Sequence, residues 1–339
     1  MSHVEYIAYV LVMVTLSIIL IVLGVVLILV CKKKPVESKE ILPVKLYAHA
    51  RAYPLISIDA ATDGFNQRRI VGQGRLGTVY AGSLEKQELV AVKRIHPYHV
   101  LSNAGFGFGF GFSSVLKWLS LAQHPNIVPI IGFSEAPGER VILMEFVHLQ
   151  SLNFYMQHGA SRLDWNKRLK IASGAARGLQ YLHEVVAPSI VHGCVKSSNI
   201  LIDVNFCARV SDYGLNFLAP MEKRGLVGYV DDEYWNIRGV GGGGATKESD
   251  VYGFGVVILE LLSGRECEGG LLVEWALPLI KEMSFSELLD PRLVIPSDLR
   301  PLVRLAKVAS VCVGNSRKCR PSMAQVATIL NNLETQVCL

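Results

Sequence analysis

No C-x-x-C pair occurs among the seven cysteines (Cys31, Cys194, Cys207, Cys267, Cys312, Cys319 and Cys338), and their number is odd. A zinc site and a disulfide framework are both disfavoured, and reduced thiols are expected. A strong charge of one sign is also lacking. The net charge of +5 is small and dispersed, so nucleic acid is not an expected partner, although Lys32 to Lys34, Lys39 and Lys45 would suit an anionic lipid face. Residues 7–30 carry no charge at all. Only Tyr9, Thr15, Ser17 and Gly24 interrupt the aliphatics over these 24 residues, whereas a bilayer core needs about 20 at 1.5 Å each. Residues 1–6 contain no Lys or Arg, and the run exceeds the ~7–15 residues of a signal-peptide core, so the expectation is a transmembrane helix. Lys32-Lys33-Lys34 would orient it with six residues outside and the rest cytoplasmic. Cys31 at that face is either a palmitoylation candidate or an unmodified helix end.

Residues 31–64 read as a juxtamembrane linker punctuated by Pro35, Pro43 and Pro54, with a short helix at 58–65. Strand patterns follow at 70–81, 89–95, 127–134 and 140–146, with a helical stretch at 113–122 between them. Beyond Ser151 the period becomes helical. Residues 165–184 place Leu169, Ile171, Ala172, Ala176, Leu179, Tyr181 and Leu182 on one face. Residues 251–262 are nearly all apolar and predict a buried helix, and amphipathic helices are expected at 299–313 and 322–333. A strand-rich first third and a helical remainder predict two unequal lobes with a cleft between them. Gly-Phe repeats at 105–112 and a glycine run at 241–244 read as loops; the repeat is either a docking patch or a neutral insertion.

Gly72-Gln73-Gly74-Arg75-Leu76-Gly77-Thr78-Val79 fits G-x-G-x-x-G-x-V, in which missing side chains let backbone N–H groups approach phosphate. Val90-Ala91-Val92-Lys93 follows on a predicted strand. His192-Gly193-Cys194-Val195-Lys196-Ser197-Ser198-Asn199 and then Ser211-Asp212-Tyr213-Gly214 complete an ordered series. Singly, each of these residues is more simply a turn residue or a solvated charge. In this order and spacing they resemble the protein-kinase family from about residue 65 to 333, with a tail at 334–339. The finer likeness is to plant receptor-like and receptor-like cytoplasmic Ser/Thr kinases. It is carried by His124-Pro125-Asn126-Ile127-Val128, Ala176-Arg177-Gly178-Leu179-Gln180-Tyr181-Leu182-His183, Ser249-Asp250-Val251-Tyr252-Gly253-Phe254-Gly255-Val256 and Cys319-Arg320-Pro321-Ser322-Met323.

The resemblance implies an α+β, bilobal kinase fold, here preceded by one transmembrane helix. It implies ATP in the cleft, met by Gly72, Gly74, Gly77, Val79, Ala91, Lys93, Leu201 and the hinge residues Met144 and Glu145. Mg2+ would be held by Asn199 and Asp212, whose oxygen donors suit a hard cation. Asp250 would brace the catalytic loop, and Glu233 would pair with Arg320.

Three positions depart from the family. Cys194 stands where the proton-accepting aspartate belongs, and loss of a positioned base typically lowers the rate by about 10²–10⁴-fold. A redox-gated thiolate near Lys196 is an alternative use of the sulfur. Val115 stands where a glutamate would pair with Lys93. Gly193 replaces the arginine that binds activation-loop phosphate, and residues 215–230 contain no Ser or Thr to carry one. The expected function is therefore a nucleotide-binding pseudokinase, single-pass in the plasma membrane. It would contact lipid through its N-terminal helix and act as scaffold or regulator of active kinases or receptor complexes. The alternative is a slow Ser/Thr kinase using Lys93, Lys196, Asn199 and Asp212 without a dedicated base.

Overall fold

A computed structural model describes residues 11, 13–23, 49–84, 88–102, 111–148, 150–158, 163–219, 223, 225–235, 244–267 and 269–337. Two compact units divide the chain at residues 1–45 and 46–339. In the first, residues 11 and 13–23 are helical and exposed. At 1.5 Å per residue the described helix covers roughly half of a ~30 Å hydrocarbon core. Among the described residues no helix is long and apolar enough to cross a membrane. The expected fold of a transmembrane helix followed by two lobes is accordingly corrected to the bilobal domain alone. The remainder of 7–30, Cys31, the triple lysine, residues 105–110 of the Gly-Phe repeat and glycines 241–243 lie outside the described residues.

The second unit opens earlier than the linker boundary read from the sequence. Strand β1 (Arg51–Ala52) pairs in parallel with β5, and helix α1 (Leu55–Ala61) buries Ile58 against the sheet. The strand pattern at 70–81 resolves into β2 (Ile70–Gln73) and β3 (Gly77–Ser83), joined by the glycine loop, followed by β4 (Leu89–Ile95). Helices α2 (Pro97–Ser102) and α3 (Phe112–Leu119) precede β5 (Ile130–Ala136) and β6 (Glu139–Glu145). The sheet order is β1-β5-β6-β4-β3-β2, antiparallel except at β1. Alternation in β4 buries Val90, Val92 and Ile95 on the sheet's faces and leaves Lys93 directed at the cleft.

Helices α4 (Leu152–His158) and α5 (Trp165–Gln180) begin the helical lobe. The Asp164 side chain caps α5 by accepting from the Lys167 N–H, and a π-turn at Tyr181–Val185 extends it. A short hairpin, β7 (Ile200–Ile202) and β8 (Ala208–Val210), carries the catalytic-loop and Asp212 segments on its two ends. Helix α6 (Lys247–Ser263) is the lobe's buried axis, capped by a reciprocal Thr246–Ser249 box and ended by Gly264 at φ 69°. Around it stand α7 (Leu271–Lys281), α8 (Phe285–Leu288) and α9 (Arg300–Cys312), while α10 (Met323–Val337) packs on α5. One contiguous core runs from Leu116 and Leu119 of α3 through Leu179 to Phe254 and Leu330.

Candidate nucleotide site

The loop between β2 and β3 is closed by a Gly74 N–H bond to the Gly77 carbonyl at 3.0 Å. Only glycine fits at 77, since a Cβ there would lie 2.1 Å from the Arg94 carbonyl oxygen across β4. Beneath the loop, Lys93 is buried at 4 % exposure, and a cation so placed needs an acid. Helix α3 offers none, since Val115 is partly buried against the core. The Lys93 ammonium instead makes an ion pair with Asp212 Oδ2. Asp212 and Gly214 hold left-handed φ values of 62° and 70°, which turn the Asp212 carboxylate to the cleft and seat Tyr213 in the core. Burial works against ionising Asp212. The opposed charges of Lys93, His192 and Lys196 outweigh it and hold the carboxyl below its ordinary range.

Asp250, in the first turn of α6, braces the catalytic loop as expected. Its carboxylate accepts from the His192 N–H at 2.7 Å and the Gly193 N–H at 2.8 Å, and bonds the His183 ring at 2.9 Å. Gly193 adopts φ 81°. Asn199 Nδ2 donates to the Cys194 carbonyl at 2.9 Å, and Ser211 donates twice to the Asn199 carbonyl. Cys194 itself is 6 % exposed and packs with Leu226 and Tyr234, edged by Val230, Trp235 and Ala245. Burial pushes its thiol up despite the pull of Lys196 and Arg75. A thiolate is thus disfavoured here, and the redox-gated reading loses its chemical basis.

These segments bound a cavity of about 320 Å³, within the range of small-molecule sites. Every residue expected from the sequence to meet nucleotide or metal lines it. Gly72, Gly74, Gly77, Val79, Ala91 and Lys93 come from the upper lobe, Met144 and Glu145 from the hinge, and Cys194, Lys196, Asn199, Leu201 and Asp212 from below. Glu145 is tied to Arg209 Nη2 at 2.8 Å. Sequence reasoning missed Arg75, which lies inside the glycine motif but crosses to the Ala219 carbonyl at 2.8 Å and Asn216 Oδ1 at 3.3 Å. It also missed the apolar lid of Leu226 and Tyr234, for which spacing carried no signal.

The pairing of Glu233 with Arg320 is corrected. Asp231 Oδ2 pairs with Arg320, and the same carboxylate takes Arg317 at 2.6 Å, whereas Glu233 lies 3.8 Å from Arg317 with a side chain 56 % exposed. The carboxylate of Asp231 is buried at the start of a 3₁₀ turn, where it also accepts the Tyr234 N–H at 2.9 Å. That position, rather than the motif's glutamate, faces the two guanidinium groups.

The side chains that could hold Mg2+ are Asn199 and Asp212. Their oxygens fit a hard cation that keeps one or two carboxylates plus phosphates. Lys93 engages only Oδ2 of Asp212, which leaves Oδ1 for a cation. When bound, the ion would neutralise phosphate charge.

Residues 65–330 match the model of the protein tyrosine and serine/threonine kinase family, and the chain belongs to that family. Its place is in the plant receptor-like kinase branch. It is 35 % identical over 304 residues to the probable serine/threonine-protein kinase PBL6 of Arabidopsis thaliana, covering 84 % of this chain and 69 % of that one. It is 34 % identical over 291 residues to the leucine-rich repeat receptor protein kinase EMS1 of the same plant, covering 80 % of this chain but only 24 % of the relative's length. Among solved structures, the pseudokinase domain of BIR2, an immune regulator of the RLK/Pelle family, superposes with TM-score 0.71 at 30 % identity. The match covers 87 % of this chain and 92 % of that one. The family uses ATP and Mg2+ in general.

Proposed function

We propose that this chain is a catalytically impaired kinase-family protein that holds nucleotide in its cleft and acts as a signalling scaffold or regulator. The observation that carries this reading is the side chain at position 194. The place where a proton acceptor must meet an incoming hydroxyl is filled by the thiol of Cys194, packed with Leu226 and Tyr234 at the edge of the cavity. Two further features support it. Lys93 is paired with Asp212 in place of a helix carboxylate, and glycine stands at 193 where the family has an arginine. The retained brace at Asp250 and the retained core favour a surface built to be recognised. The partners we infer are active kinases or receptor complexes at the plasma membrane, the class suggested by the receptor and immune-regulator names of the relatives.

A slow Ser/Thr kinase is the second reading, favoured by the convergence of Lys93, Lys196, Asn199 and Asp212 on one cavity. Phosphate transfer from labelled ATP by the purified full chain with Mg2+, beside Asp212→Asn, separates the two. The proposal expects no transfer above that variant. Metal-dependent transfer that is lost in Asp212→Asn would reject it, supporting the slow kinase where the rate lies below the roughly 1–100 s⁻¹ ordinary for kinases.

A further inference from the structure

We propose that Arg75 is the cationic ligand of the outer phosphates of a nucleoside polyphosphate held in the cleft. The proposal rests on reading the cleft as a nucleotide site and adds how the ligand's charge is met there.

The charges that line the phosphate end are Arg75, Lys93, Lys196 and Asp212. Lys93 and Asp212 satisfy one another. Arg75 bonds only a carbonyl and an amide oxygen, at Ala219 and Asn216, and Lys196 bonds the Gly225 carbonyl at 3.2 Å. Two cations therefore point at the cleft's end with neutral acceptors and no carboxylate among the described residues. Phosphate is the counterion that this arrangement lacks. The planar guanidinium can exchange both neutral acceptors for a two-point, charge-assisted bond to phosphate oxygens.

Arg75 is also held in place for this. His99 bonds its carbonyl at 3.0 Å, His96 bonds the Gly74 carbonyl at 3.1 Å, and the Gly74–Gly77 turn fixes the loop between them. The guanidinium bonds Asn216, whose Cβ lies beside Gly193 of the catalytic loop, so it stands next to that loop at the cleft.

The test is calorimetric titration of the full chain with ATP and with adenosine, in EDTA and in Mg2+, for the wild type, Arg75→Ala and Arg75→Lys. Arg75→Ala should weaken ATP by about tenfold or more in EDTA, a loss larger than for adenosine, since a hydrogen bond to a charged group contributes about this much. Arg75→Lys should fall between, because it keeps the charge and loses the fork. An Arg75→Ala affinity for ATP equal to wild type in both buffers overturns the proposal. No ATP binding in either buffer overturns it together with the nucleotide-holding half of the proposed function.

Discussion

A carboxylate at position 194 would sit against Leu226 and Tyr234 with almost no water, and an ion so placed costs several kcal/mol. Cys194→Asp is therefore expected to lower the urea midpoint and to restore no transfer by itself. Adding Leu226→Thr removes an apolar wall and supplies a hydroxyl to the new acid, so the double variant should regain part of the lost stability. A single variant as stable as wild type would show that the seal around the sulfur is not tight. Gly193 presents the same difficulty in its backbone. At φ 81° a side chain is strained by about 1–3 kcal/mol, and its Cβ would come 3.0 Å from Asn216 Cβ and 3.3 Å from Ala245 Cβ. Gly193→Arg should then destabilise the chain rather than return it to the family pattern. At this scale the motifs made Lys93, Asn199 and Asp212 legible, because phosphate chemistry fixes residue type and spacing together. Leu226 was not legible, since a leucine in a loop announces nothing until its neighbour from another segment is known.

Between elements, the segment ending in Tyr234 is fastened to the helical lobe by Asp231, whose carboxylate meets Arg317 and Arg320. Removing one partner of a buried pair leaves the others uncompensated, which typically costs about 3–5 kcal/mol. Arg317 and Arg320 also reach the carbonyls of Gly244, Gly314 and Glu248, so the cost of Asp231→Ala should fall at the lower end of that range. Glu233→Ala should change stability by no more than about 0.5 kcal/mol, as exposed substitutions do. Chemical denaturation of the two variants checks the assignment, and equal losses would return the ion pair to Glu233. The sequence placed three acids at 231–233 but could not rank them. Their ranking depends on which one the 3₁₀ turn at Asp232–Trp235 points inward. Long periodic elements such as α5, α6 and α10 were readable because burial repeats along them. Helices α2 and α4 and strand β8 are too short to show a period, and Pro278 inside α7 hides a helix that packing nevertheless sustains.

For the molecule as a whole, the two-lobed plan followed from the switch of hydrophobic period near Ser151, whereas the transmembrane expectation did not survive, because hydropathy alone sets no helix length. What composition could not reveal is how stability depends on pH. Glu260 of α6 is 1 % exposed. One oxygen accepts from the Tyr229 hydroxyl at 2.6 Å and the Cys267 N–H at 3.1 Å, while the other has no partner among the described residues. Burial pushes its pKa up to about 7, more than those hydrogen bonds pull it down. The unfolded carboxyl ionises near 4.3, so between there and about 7 the folded chain binds the extra proton and stability falls as pH rises, by on the order of 3 kcal/mol. Asp212, Asp231 and Asp290 act in the opposite sense. Burial opposes their ionisation, but paired cations hold all three low, so their stabilisation is present above the ordinary aspartate range and is lost on acidification. Glu260→Gln keeps an oxygen for Tyr229 and Cys267 but cannot ionise, so its urea midpoint should gain on the wild type's as pH rises from 5 to 8, while the half-buried His124 and the buried His192, held low by burial, act alike in both. Because Tyr229 also touches Ser197 of the catalytic loop at 3.3 Å, the same variant reports whether that loop and α6 unfold as one unit. A midpoint that declines with pH as steeply in Glu260→Gln as in wild type would mean that the buried proton lies elsewhere.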